Sequence, residues 1–75
     1  MYQVTAIYQN SEIGYGEGEG LLYAIDDCVA SISPMFEDEK VVLSVLKDGV
    51  LDRQVKGRIY ICMSGITSLC DRVEI

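Results

Sequence analysis

Glycine alternates with other residues through Gly14-Tyr15-Gly16-Glu17-Gly18-Glu19-Gly20, and glycine-rich loops are where backbone N–H groups cradle phosphates. The dinucleotide fingerprint GxGxxG nevertheless fails here. Begun at Gly14 it needs glycine at the position of Glu19; begun at Gly16 it needs glycine at the position of Leu21. No Gly-Lys-Ser/Thr follows, and two glutamates line the ground a phosphate would approach. The stretch reads as a flexible hinge between a strand and a helix.

Other chemistry fails for lack of partners. The chain has no histidine, which removes the commonest acid–base catalyst and the commonest metal ligand. Its three cysteines, Cys28, Cys62 and Cys70, therefore lack the neighbouring base that activates a thiol. They form no CxxC pair and no zinc spacing, and an odd number cannot close a complete disulfide framework. Reduced thiols are expected, with Cys28 and Cys62 as small core residues and Cys70 the one to check for exposure. Asp26 and Asp27 are adjacent, but on a helix neighbours splay by about 100°, so they do not converge as a glycosidase pair does. Glu37-Asp38-Glu39 lacks the alternating acids and central glycine of a calcium loop. No catalysis, metal or cofactor is expected.

Charge is the feature that remains. The chain carries 12 acids and 6 bases, a net −6. From Met1 to Glu39 there are eight acids (Glu12, Glu17, Glu19, Asp26, Asp27, Glu37, Asp38, Glu39) and no lysine or arginine. Every base lies from Lys40 onward. Such a balance argues against direct nucleic-acid binding and for a basic partner. The same run also serves as ordinary solubility charge, the commoner use of a charged face.

The elements that would carry these groups follow from periodicity. Tyr2 to Tyr8 alternates as a strand, Asn10-Ser11 marks a turn, and Ile13 to Glu17 returns antiparallel, weakened and bulged by its glycines. Leu21, Leu22, Ile25, Cys28, Val29 and Ile32 recur at helical spacing and are expected to face the core. Tyr23, Asp26, Asp27 and Ala30 then fall outside, and Glu17 and Glu19 sit at the helix N-terminus, where the macrodipole favours them. Ser33-Pro34 ends the helix, and Met35-Phe36 tucks back as an apolar clip. Asp48-Gly49 predicts a type I′ hairpin that sets Ser44 opposite Arg53 and Val42 opposite Val55. In that register Val42, Leu46, Leu51 and Val55 share a face, and the first hairpin strand is covered on both sides. Gly57 interrupts the second strand, and Arg58 to Met63 continues it after a bulge. Beyond Ser64 the pattern of Ile66, Leu69, Cys70 and Val73 favours a short C-terminal helix over a final strand.

The fold class expected is therefore α+β: one domain over 1–75, with a four- to five-stranded antiparallel sheet in ββαββ order and one main helix on a face. No run approaches the ~20 apolar residues of a membrane span, and Met1-Tyr2-Gln3-Val4 does not begin a signal peptide, so a cytoplasmic location is expected. The acid-only half Met1–Glu39, the helix Leu21–Ile32 and the Val41–Val55 hairpin together resemble the small acidic accessory proteins of phages and prophages, of the anti-CRISPR type. That resemblance implies an inhibitor that blocks a basic nucleic-acid-binding surface of a host complex. The partner-binding residues expected are Glu17, Glu19, Tyr23, Asp26, Asp27, Glu37, Asp38 and Glu39, with Tyr15 and Tyr23 either aromatic anchors or half-buried covers of the core. The alternative is a homodimeric scaffolding or assembly protein that uses its apolar excess, with Met63, Ile66 and Leu69 at the contact.

Overall fold

Positive backbone φ at Gln9 (49°) and Asn10 (65°) folds the chain back one residue earlier than Asn10-Ser11, in the geometry of a type I′ turn. The computed structural model describes residues Met1 to Ile75. β1 (Tyr2–Tyr8) and β2 (Ser11–Gly18) form the first hairpin, followed by α1 (Leu21–Ala30), a 3-10 turn (Pro34–Phe36), β3 (Lys40–Lys47), β4 (Val50–Ile61) and β5 (Thr67–Glu74). One antiparallel sheet runs β2-β1-β3-β4-β5. The element order is ββαβββ, one strand beyond the ββαββ expected.

That extra strand corrects the C-terminal helix. Gly65 takes φ +87° and its N–H bonds the Cys62 carbonyl, which turns the chain back along β4. Leu69 then stands opposite Ile59 and packs beneath α1. The spacing of Leu69 and Val73 marks no shared face: Arg58 pairs with Cys70 but Lys56 pairs with Val73, so β5 carries an extra residue where Asp71 adopts φ +55°, and Val73 turns to the side opposite Leu69.

A second irregularity governs β4. The Asp48-Gly49 turn forms as expected, with Lys47 opposite Val50 and Leu46 opposite Leu51. Asp52 is then left without a partner, Arg53 pairs with Val45, and Val55 pairs with Leu43 rather than Val42. A one-residue slip exchanges the faces of a strand. It sends Val55 and Ile59 to the same side as Val41, Leu43 and Val45, and it sends Lys56, Arg58 and Tyr60 to the other. β4 is continuous through Gly57.

The core lies between this side of the sheet and α1. Val4, Ala6, Val41, Leu43, Val45, Ile59 and Leu69 meet Ala24, Ile25, Cys28, Val29 and Ile32. Ala24 belongs to the buried face, whereas Leu22 is 66% exposed, so the stripe that contacts the sheet is rotated away from Leu22 and toward Ala24 relative to the one the sequence implies. Phe36 packs edge-on against Tyr8 at 5.4 Å, but Met35 points outward. No second layer covers the opposite sheet face, where Ile7, Val42 and Leu46 stay partly buried. β3 is therefore central but covered on one side only.

The glycine alternation belongs to β2, and it is a packing surface rather than a hinge. Gly14, Gly16 and Gly18 point toward α1, and a Cβ on Gly16 would collide with the Cys28 nitrogen and stand 2.7 Å from the Ala24 carbonyl oxygen. The helix backbone rests directly on the strand.

Candidate functional site

This close seat lets α1 finish the outer edge of β2. Edge strands leave outward N–H groups unpaired, a template for unwanted pairing. Here the Glu17 N–H donates to the Asp27 carboxylate at 3.1 Å, and the Tyr15 N–H donates to Ser31 Oγ at 2.9 Å. The Ser31 hydroxyl in turn donates to the Cys28 carbonyl at 2.6 Å. Asp27 and Ser31 are one helical turn apart, matching the two-residue spacing of the strand donors. Asp27 thus holds the edge as well as carrying charge.

Around it the acidic residues separate into two groups. Tyr23 and Asp27 share one helix row, while Leu22, Asp26 and Ala30 form the adjacent row. Asp26 faces a groove of about 410 Å³ between α1 and β5 rather than β2. Glu17 lies within β2, not at the helix N-terminus, and accepts a hydrogen bond from the Tyr15 hydroxyl at 2.9 Å, which raises the tyrosine pKa. The first turn of α1 holds no acid at all. Glu19 sits in the bend before the helix, near the Met1 amine, whose pKa is raised chiefly by its hydrogen bond to Asp48 and in smaller part by Glu19. Tyr23 is 79% exposed, so its ring covers no core.

The second group follows the other end of the helix. Glu19 follows Gly18, which pairs with Tyr2 at one end of β1, whereas Glu39 bonds Tyr8 at the other, so the length of β1, about 20 Å, lies between the two groups. Glu39 is half-buried and accepts from the Tyr8 hydroxyl at 2.8 Å, and that bond raises the tyrosine pKa. Asp38 lies 3.6 Å from Arg58. Only Glu37 in this group is uncommitted. The eight expected residues therefore do not make one patch; Glu17, Glu19, Tyr23, Asp26 and Asp27 gather around α1 and the end of β2, and the rest do not join them.

The three thiols stand in different surroundings. Cys28 is enclosed in the core, and burial, with Asp27 nearby, pushes its pKa up to about 12. Cys62 is half-buried rather than core, and contact with Ser64 Oγ at 2.9 Å lowers its pKa. All three cysteines are free. No three or more Cys, Asp or Glu side chains gather in a metal-binding arrangement.

Two features escaped the sequence reading. Ser31 sits at the helix C-terminus with no mark of its role as a strand cap. Lys40, Lys56 and Arg58 converge on the open sheet face through the register shift of β4. Comparison with known proteins returned no match: no family model fits the chain, and no curated protein or solved structure is detectably similar to it.

Proposed function

We propose that this chain is a non-enzymatic binding protein whose acidic edge engages a basic surface of another protein, one shaped to receive a nucleic-acid backbone. The reading places it with the phage-encoded inhibitors of the anti-CRISPR type that it resembles. The observation that most supports it is the isolation of the acids. Of the eight carboxylates between Met1 and Glu39, only Asp38 stands within ion-pairing distance of a lysine or arginine. Unpaired carboxylates that flank α1, Glu17 and Asp27 toward β2 and Asp26 toward β5, sum to a field that steers a basic partner and strengthens as salt falls. On the solvent side of α1 Leu22 and Tyr23 are 66% and 79% exposed, an apolar anchor flanked by charge, which is how binding hot spots are built.

The test uses Glu19→Lys with Asp26→Lys, which spares Asp27 and its bond to the strand. A host protein captured at low salt is assayed for DNA binding by gel shift as this chain is added. The parent chain is expected to displace DNA stoichiometrically, less well as salt rises from about 50 mM to about 200 mM. The double variant is expected to lose about tenfold or more in potency, each reversal changing a rim charge into a repulsion. Equal potency of variant and parent would refute the acidic-edge mechanism.

A second reading, a homodimer, is favoured by the contrast between the two sheet edges. The Ile59 N–H and carbonyl bond Glu39 and Asp38 on the β3 side, so the Leu69 groups opposite them point away from the sheet. The Leu69 carbonyl accepts from Arg72 Nε at 3.0 Å, but no side chain meets the Leu69 N–H. Met63 and Ile66 beside this edge are exposed, whereas Leu69 is buried and unavailable to a contact. Light scattering decides it: a dimer that persists in high salt supports strand pairing across β5, and a monomer at every concentration refutes it.

A further inference from the structure

The six cations divide evenly by what they do. Lys47 lies 5.7 Å from the centre of the Tyr2 ring, Arg53 Nε bonds Asp52 at 2.7 Å, and Arg72 Nε bonds the Leu69 carbonyl. The other three, Lys40, Lys56 and Arg58, gather around one cleft of about 310 Å³ completed by Gly57, Asp71 and Val73. Register puts them there: Lys40 stands directly opposite Arg58, and Lys56 is two residues along the same strand face.

Like charges placed directly across a sheet destabilise it, and here two cations are opposed with a third beside them. Neither lysine forms an ion pair. Arg58 lies 3.6 Å from Asp38 and 3.4 Å from Asp71, distances that hold the guanidinium in place without a hydrogen bond to either carboxylate. Its donors remain unfilled. Three cations against two carboxylates leave the cleft locally positive in a chain of net charge −6.

The geometry points to a binding site for a small phosphate-bearing anion, with the Arg58 fork and the two lysine ammoniums as its donors. Guanidinium and ammonium groups together recognise phosphate, the first through two parallel bonds and the second as a point charge. The cleft volume lies at the small end of ligand sites, which suits a pyrophosphate or a mononucleotide phosphate. A nucleic-acid strand does not suit it, because a longer polyanion would run onto the acid-rich remainder of the surface. Asp71 shares the cleft and competes with the anion for Arg58. Its place in the β5 bulge, at φ +55°, makes it the group that yields when the anion enters.

The test titrates inorganic phosphate and pyrophosphate into the protein at fixed ionic strength, following backbone amide NMR signals. Saturable shifts confined to the neighbourhood of Gly57, Arg58 and Asp71 are expected, with pyrophosphate binding more tightly than phosphate. The pair Lys40→Gln and Lys56→Gln, both exposed, is expected to weaken binding about tenfold or more. Asp71→Asn is expected to tighten it several-fold by removing the competing carboxylate. Shifts that never saturate, equal affinity in the lysine variant, or weaker binding by Asp71→Asn would each overturn the assignment. So would a short single-stranded DNA that binds more tightly than pyrophosphate, since the surface would then serve a polymer. Glu19→Lys with Asp26→Lys leaves the cleft residues unchanged, so a failure of the acidic-edge mechanism is separable from a failure here.

Discussion

Gly16→Ala is the most direct probe of how α1 is seated on the sheet. Gly16 is buried and extended within β2, so no left-handed backbone conformation requires glycine there. In a strand freed of that contact, alanine would be neutral or mildly stabilising through the unfolded chain. The structure forbids this. The added Cβ meets the Cys28 nitrogen and stands 2.7 Å from both the Ala24 carbonyl oxygen and the Cys28 Cα, where ordinary contact begins near 3.4 Å. All three are helix backbone atoms, which no rotamer change can move. The helix must retreat by about 0.7 Å or more along its whole seat, opening the contact that buries Ala24, Cys28 and Val29. Overpacking costs about 1–3 kcal/mol, and displacement of a backbone places this case at the upper end, about 3 kcal/mol. Total stability for 75 residues is about 4–11 kcal/mol. At roughly 4–8 °C per kcal/mol, the melting temperature should fall by about 12–24 °C in a circular-dichroism melt. Gly20→Ala is the control, because its Cβ meets only the movable Tyr23 ring, at 3.2 Å, and its cost is that of alanine in place of glycine at a helix N-cap, about 1 kcal/mol or less. A Gly16→Ala protein melting within about 4 °C of the parent would refute the close seat.

Two further outcomes follow from the same contacts. Asp27→Ala and Ser31→Ala each uncap one outward donor of β2 and should cost about 1 kcal/mol, with faster hydrogen exchange at the Glu17 amide in the first and at the Tyr15 amide in the second; unchanged exchange would show that water serves the edge equally well. The thiols should label in order: mass spectrometry after iodoacetamide at mildly alkaline pH should find Cys62 modified first, because Ser64 favours its thiolate, and Cys28 protected until unfolding. Since the Cys28 pKa is raised in the fold, its contribution to stability is full below its ordinary value of 9.0 and is lost as pH climbs from there toward about 12.

The boundaries of β1, the centre of α1 and the Asp48-Gly49 turn were legible because each rests on a local rule: alternation, helical spacing, and the φ > 0 demand of a type I′ turn. The candidate site was less legible because it depends on registers. Glu17 looked like a helix-end acid only while Gly14 to Gly20 looked like a loop; as a strand it turns away from the macrodipole. Asp27 looked like free charge, and its bond to the Glu17 amide appears only when the glycines bring helix and strand together. The cationic cleft needed the irregularities of both β4 and β5. A parity conflict did mark the first of them. An Asp48-Gly49 turn pairs odd positions of β3 with even positions of β4, yet the apolar residues run Val41, Leu43, Val45 and then Val55, Ile59, Ile61, all odd. No regular hairpin can bury both sets on one face.

Asp52 resolves that conflict, and its removal is the sharpest test of the resolution. In the native hairpin Leu46 faces Leu51, Asp52 is extra, and Val45 faces Arg53. Deleting Asp52 joins Leu51 to Arg53 and restores regular pairing without moving any later residue. Val55 and Ile59 stay under α1, and Lys56 and Arg58 stay on the open face. The losses are the local twist of the bulge and the Arg53–Asp52 ion pair, and exposed pairs contribute about 0–1 kcal/mol. A deletion inside a twelve-residue strand is therefore expected to leave a cooperatively folded protein within about 1–2 kcal/mol of the parent, with pyrophosphate affinity retained. Deleting Ser44 from β3 offers no such repair. It shifts half of a central strand against both β1 and β4 and turns either Val45 or the Val41–Leu43 pair out of the core. That variant is expected to lose cooperative melting. If the Asp52 deletion unfolds as readily as the Ser44 deletion, the bulge is a structural requirement in its own right, and the parity account of how this sheet sorts its core from its cations is wrong.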